Sequence, residues 1–349
     1  MVRDSVQLST FSNFVYTVGS GRYLTAGVLY FTEAVHLPAG QVGLGLGIAG
    51  AIALAVGIVV GHLADVCGAR GVYAATLVVQ ALATAGFLLA DGFWLFVLAV
   101  CATAGAKAAG LAARSPLIRH YGGDRPQEFR PVVAGPRWSA LRDGPYILLT
   151  ALDGIMAIQF KVLTVAIPLW LVGATSAPHW LISGTMLTGT VIVVACQVRA
   201  SRSIDSPKAG GNAYRRAGVA FLVSCSMISL AAGVPAWAAA MLLITAVVIH
   251  TVGELWHSAA GFEVSFALAP QHATGQYLGV FGLGAGLAEA LGPGLLIALC
   301  ITWGRPGWYV VGAMFALTGL VAPLAVRWAQ RSQHTRQIHL EAREEVQAA

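Results

Sequence analysis

The chain has 349 residues, of which 57% are apolar and only 10% are charged, and its formal net charge is +6. An ordinary soluble domain is about 25% charged, so this composition excludes a soluble enzyme, a DNA-binding module and a disordered scaffold. It indicates an all-α, polytopic membrane protein, whose bilayer-crossing helices each need about 20 mostly apolar residues.

Apolar stretches of this length follow one another along the whole chain. The ten candidate spans are residues 11–34, 40–61, 72–91, 92–115, 146–173, 178–198, 213–233, 236–260, 275–302 and 306–327. Several of them are rich in Gly and Ala, and small residues let helices approach each other closely in lipid. We therefore predict a membrane helix bundle of about ten transmembrane helices.

The positions of the basic residues predict the orientation, because Lys and Arg are enriched in cytoplasmic loops. With both termini inside the cell, 17 of the 21 Lys and Arg residues fall in cytoplasmic segments and only Arg305 falls in an outward loop. The remaining three, Arg22, Lys107 and Lys161, lie within spans. This asymmetry predicts a multi-pass protein of the plasma (inner) membrane with both termini in the cytoplasm. It also excludes a nucleic-acid-binding patch.

One polar, Pro-rich segment divides the spans into two groups. We expect an N-terminal four-helix transmembrane bundle in 1–115, a cytoplasmic connector in 116–145, a C-terminal six-helix transmembrane bundle in 146–330 and a cytoplasmic tail in 331–349. The long segment could recruit substrate, but a connector between two halves is the favoured interpretation.

The segment GHLADVCGARG (61–71) follows the second span. It has the spacing G-x-x-x-D-x-x-G-x-R, with Gly61, Asp65, Gly68 and Arg70 at the named positions. A short membrane loop can contain these residue types by chance. Their spacing and place nevertheless strongly resemble the signature loop of the major facilitator superfamily of secondary transporters, where the loop takes part in the conformational switch. Val66 departs from the family pattern, in which a basic residue usually follows the Asp.

Other segments resemble the same family. Residues 28–50 are similar to its first outward loop and second helix, and residues 253–279 to the tenth-helix region of its bacterial drug-exporter-like members. The segment 137–172 resembles the family's seventh helix, although it comes after only four spans. The resemblance therefore implies that the chain lacks the family's fifth and sixth helices, with the junction near residues 129–136.

Charged residues inside spans are costly and mark functional sites. The resemblance implies a cavity lined by the family's first, fourth, seventh and tenth helices. The candidates for cavity and proton-coupling residues are Arg22, Lys107, Asp153, Lys161, Glu254 and, on the ninth span, Glu289. Lys107, Asp153 and Glu254 lie at similar depths and are expected to meet, with the cation between two carboxylates. Two interpretations stay open: proton coupling and a structural ion pair.

Two further features concern the same spans. Gly292 and Pro293, in GLAEALGPGLL (286–296), resemble the bend of the family's antiporter-type motif. Four histidines at span ends are interpreted as interface residues rather than metal ligands: His62, His179, His257 and His272. The glycine-rich stretches lack the strand and the Lys of a nucleotide-binding loop. We expect no metal, no cofactor and no catalytic site, so the chain is not predicted to be an enzyme.

The resulting hypothesis is a secondary active transporter in the lipid bilayer. It would use protons to drive efflux of a small amphipathic or hydrophobic molecule by alternating access. One alternative is an internally deleted, non-transporting membrane protein that retains the family's architecture. Another is an importer, because the fifth helix that distinguishes exporters is the one expected to be missing.

Overall fold

A computed structural model describes residues 31–32, 35–67, 69–87, 92–121, 140–270 and 273–348. The first predicted span, 11–34, and most of the predicted connector lie outside these residues. Within them all regular secondary structure is helical.

Nine helices occupy the positions of the other nine predicted spans. They are α1 (Ala39–Cys67), α2 (Ala69–Gly86), α3 (Phe93–Tyr121), α4 (Gly144–Ala174), α5 (Leu181–Ser201), α6 (Pro207–Leu230), α7 (Ala236–Ala267), α8 (Thr274–Leu296) and α9 (Arg305–Ala348). Seven are long and apolar enough to cross a membrane; α2 has a shorter apolar stretch, and α6 begins with a polar and basic segment. The all-helical, polytopic architecture is thus confirmed, and the chain is an integral membrane protein. The last helix continues to Ala348, beyond the end of the predicted span at 327.

Side-chain caps define where two of the helices begin. The Asp143 carboxylate accepts a hydrogen bond from the backbone N–H of Tyr146 at the start of α4, where Pro145 occupies the first turn. Ser206 caps α6 in the same way, followed by Pro207. Both arrangements satisfy helix donors that otherwise lack partners.

Two helices depart from regular α-helical geometry. In α4, a π-helical turn over Val162–Ala166 begins directly after Lys161. In α8, Pro293 lies inside the helix, and a π-helical turn over Ile297–Thr302 continues it. Proline has no N–H and so removes a helical hydrogen bond, here the one to the carbonyl of Glu289. Such irregular turns are frequent at functional sites of helices.

The described helices pack as two groups. Helices α1, α2 and α3 contact one another, whereas α4 to α9 share a large buried core that includes Phe221, Trp308 and Phe315. The groups meet mainly where α1 crosses α8. Small residues make this crossing close: a Cβ on Gly43 would lie 3.3 Å from the Gly294 Cα. Close contact between small residues is the usual means of helix association in lipid.

A buried apolar cluster seals one end of the contact between the groups. It is formed by side chains of both groups, which we call the interface cluster: Val42 on α1, Phe96 on α3, Val165 and Leu169 on α4, and Ile297 after α8. Their burial excludes water from this end of the junction.

Candidate functional site

A cavity of about 280 Å³ lies next to the interface cluster, between the two helix groups. Its walls are mainly aliphatic, and include Ala49 on α1 and Val100 and Ala104 on α3. It lies on the side of the cluster nearer the C-terminal ends of α1 and α3, which is the cytoplasmic side in the predicted orientation. Pockets of this size, apolar with a few polar groups, are typical of small-molecule sites.

An ion pair between Lys161 on α4 and Glu289 on α8 lines this cavity. Lys161 is buried, whereas the Glu289 side chain is about half exposed, at 54%. A buried ammonium group is stable only with a partner of opposite charge. The structure thus brings together two sequence-predicted residues that lie 128 positions apart in the chain.

The other predicted residues of α8 frame this pair. A Cβ on Gly292 would lie 3.1 Å from the Lys161 Cγ, so the glycine leaves room for the lysine stem. Pro293 lines the same cavity. Pro293 has no backbone N–H to donate to the carbonyl of Glu289.

Lys107 on α3 is the third charged residue that lines the cavity, and it is half-buried. In the part of the chain that the structure describes, the cavity therefore carries two ammonium groups and one carboxylate. One of the ammonium groups is contributed by the first helix group and the ion pair by the second. The charges consequently lie across the boundary between the groups.

Asp153, also on α4, lies outside this cavity and is buried inside the second helix group. Its Oδ1 accepts a hydrogen bond from the Tyr214 hydroxyl at 2.7 Å and lies 3.0 Å from the His257 Nε2. Tyr214 is on α6 and His257 on α7, so the carboxylate connects three helices. Gly261 makes this possible, because a Cβ there would lie 3.0 Å from Asp153 Oδ1.

Glu254 on α7 lines a different cavity, of about 480 Å³, between α7 and α5. Gln197, Ser201 and Ser258 are among its polar neighbours. The expectation that Lys107, Asp153 and Glu254 meet is therefore wrong. Equal depth along a helix does not fix the direction in which a side chain points, and these three residues face three different environments.

His257 on α7 also differs from the sequence interpretation. It was expected at an interface, but it is 3% exposed and bonded to Asp153. His250 is fully buried, 3.0 Å from Gln159 Oε1 and 3.3 Å from Ser224 Oγ. The two histidines lie seven residues apart, which puts them on one face of a helix. That spacing is the signal that could have placed both in the core.

The remaining predicted residues are only partly described. Arg22 and Gly68 lie outside the described residues. Gly61 and Asp65 lie in α1 and Arg70 in α2, and only their backbone is described. The proposed switch loop thus falls at the junction of these two helices.

The fold is similar to that of a known transporter. The crystal structure of nucleoside transporter NupG matches with a TM-score of 0.63 and 14% sequence identity, over 93% of this chain and 98% of that one. No protein-family model matches the sequence, and no curated protein does. At this identity the similarity establishes the fold alone.

Proposed function

We propose that the chain is a secondary active transporter that moves a small amphipathic molecule through the cavity between its two helix groups. The observation that carries this proposal is the position of the Lys161–Glu289 pair with Lys107, because these charges lie in an otherwise apolar cavity at the boundary between the groups. Charged groups in such a place are costly unless they serve a substrate or ion pathway.

Alternating access requires one end of the cavity to close while the other opens. The interface cluster and the close α1–α8 crossing support closure on one side. With both termini in the cytoplasm, as the loop charges predict, the closed side is the extracellular one. The π-helical turn of α4 directly follows Lys161, and Pro293 of α8 lines the same cavity as Glu289, so flexing at these points would move the charges.

Proton coupling is assigned in this proposal to Asp153 with His257. These two side chains share a hydrogen bond, and either can hold a proton. The other titratable groups that face them are Tyr214 and Tyr146, with Glu254 one turn from His257. Because the three bonded side chains come from α4, α6 and α7, a proton taken up here would change how these helices are held together.

Efflux is the proposed direction, because residues 253–279 resemble drug-exporter-like members of the family.

The proposed loss of the family's fifth and sixth helices has separate support. Only 18 residues separate Tyr121 at the end of α3 from Ala140, where the described chain resumes. This is fewer than the about 20 residues that a single span needs.

Flux assays in proteoliposomes of both orientations test the function. The probes are uridine, octanoate and ethidium, which represent a nucleoside, an anionic amphipath and a cationic amphipath. We expect at least one amphipath to accumulate in inside-out vesicles whose interior is acidic. Accumulation only in right-side-out vesicles with acid outside would make the protein an importer. No flux of any probe in either orientation would favour the non-transporting alternative.

A further inference from the structure

A further cavity lies within the second helix group, and none of the residues that line it lines either of the two cavities described above. It is a groove of about 570 Å³ between α6, α7 and α9. Each helix contributes an exposed apolar side chain to its walls: Val219 of α6 (50% exposed), Val248 of α7 (37%) and Leu320 of α9 (53%). In a membrane protein, such an open apolar groove faces lipid rather than water.

Two arginines line this groove, at one end of its α6 wall. Arg215 and Arg216 are both exposed, and Val219 follows Arg215 by one helical turn. In the part of the chain that the structure describes, neither arginine forms an ion pair. The acidic residues of α7 do not compensate them, because Glu254 and Glu263 line the cavity toward α5. The groove is therefore a basic site that continues into an apolar surface.

The dimensions of the groove match one leaflet of a bilayer. Its α7 wall is formed by Val248, Val252 and Trp256, which repeat on one face and span about 12 Å of helix. Half of a hydrocarbon core is about 15 Å. The arginines lie about two turns into α6, where its polar first segment ends, so their guanidinium groups can reach the headgroup region.

We propose that this groove binds an anionic phospholipid of the cytoplasmic leaflet. Arg215 and Arg216 hold the phosphate headgroup, and an acyl chain lies along Val219, Val248 and Val252. Basic pockets between transmembrane helices on the cytoplasmic side are suited to anionic headgroups. The site is independent of the proposed transport function.

Native mass spectrometry of the delipidated full chain tests the site. The probes are dioleoyl-phosphatidylglycerol and dioleoyl-phosphatidylcholine at equal concentrations. We expect Arg215→Gln/Arg216→Gln to bind phosphatidylglycerol roughly 30-fold more weakly, the factor for two basic residues near headgroups. Arg199→Gln/Arg202→Gln removes the same charge from the exposed end of α5 and should still bind phosphatidylglycerol more tightly than phosphatidylcholine. An equal loss in both double variants would overturn the proposal.

A second pair of variants tests the apolar part while keeping the arginines. Val252→Trp fills the groove and should also weaken phosphatidylglycerol binding, whereas Val194→Trp, on the exposed surface of α5, should not. Unchanged binding in Val252→Trp would contradict an acyl chain in the groove. Displacement of the lipid by millimolar inorganic phosphate would contradict a lipid site as well. The thermal unfolding temperature of each variant shows that it is folded.

Discussion

Gly50 on α1 lies directly against Ala290 on α8, so that a Cβ on the glycine would be 2.8 Å from the Ala290 Cβ. No real pair of side chains approaches so closely without a shift of the backbone. This contact joins the two helix groups at the residue that directly follows Glu289. It makes the α1–α8 crossing both the closest link between the groups and a direct neighbour of the charged cavity.

Enlarging Gly50 should therefore separate the groups at this crossing. We expect Gly50→Leu to fold but to lose most of its transport, because the closed arrangement becomes inaccessible. The matched control is Gly40→Leu on the same helix, where nothing lies within 4 Å of the added Cβ. Flux in proteoliposomes measures the effect, and equal flux in the two variants would contradict the role of the crossing.

The Lys161–Glu289 pair allows structural and functional roles to be separated. Glu289→Gln leaves a buried ammonium without its partner. Loss of one partner of a fully buried pair costs about 3–5 kcal/mol, and the half exposure of Glu289 reduces this to roughly 1–3 kcal/mol. Lys161→Met/Glu289→Gln removes both charges and should recover the unfolding temperature.

Transport should not recover in that double variant, because the cavity has lost its charges. Thermal unfolding and flux are measured on the same preparations, with Glu263→Gln as the control outside the cavity. Full transport by the double variant would reduce the pair to a structural link between α4 and α8.

Proton coupling through Asp153 predicts a selective defect. Asp153→Asn keeps the side-chain shape but removes the proton site shared with His257. We expect it to lose accumulation driven by a proton gradient while it still exchanges labelled for unlabelled substrate at equal pH. Asp205→Asn, in the exposed loop before α6, should retain both activities. Gradient-driven accumulation by Asp153→Asn would remove this residue from the coupling mechanism.

His250 is expected to be structural. It fills a closed site beside Phe221, at 4.7 Å between ring centroids, and bonds to Gln159 and Ser224. His250→Ala should lower the free energy of unfolding by about 2–4 kcal/mol through the cavity and the unsatisfied partners. The exposed His179→Ala should change it little. Chemical denaturation in detergent measures both, and an unchanged value for His250→Ala would contradict the assignment.

The helices were predictable and the side-chain partners were not. An apolar run of about 20 residues must satisfy its backbone hydrogen bonds internally in lipid, which favours the α-helix. The nine described helices accordingly match nine predicted spans. Charges within spans likewise pointed to Lys107, Lys161 and Glu289, which line one cavity. The sequence prediction placed Glu254 in the wrong cavity. Counting residues along the span gives its depth in the membrane, but the direction of its side chain depends on how α7 packs against α5.

The partner of Asp153 could not be predicted for a related reason. Tyr214 is 61 residues away and His257 is 104 residues away, and neither has a sequence spacing that marks a site. Only the packing of α4, α6 and α7 brings them together. The space for the Asp153 carboxylate depends on the absence of a side chain at Gly261. The sequence does not show that Gly261 faces Asp153, so this role of the glycine could not be predicted.

The most direct test of alternating access is a reversible lock across the α1–α8 crossing. Gly43→Cys/Gly294→Cys, in a protein whose five native cysteines are replaced, joins backbones that are close enough for a disulfide. Flux of the probe that the native chain transports is measured before and after reduction. The account predicts no flux in the oxidised protein and recovered flux after reduction. Equal flux in the two states would contradict it.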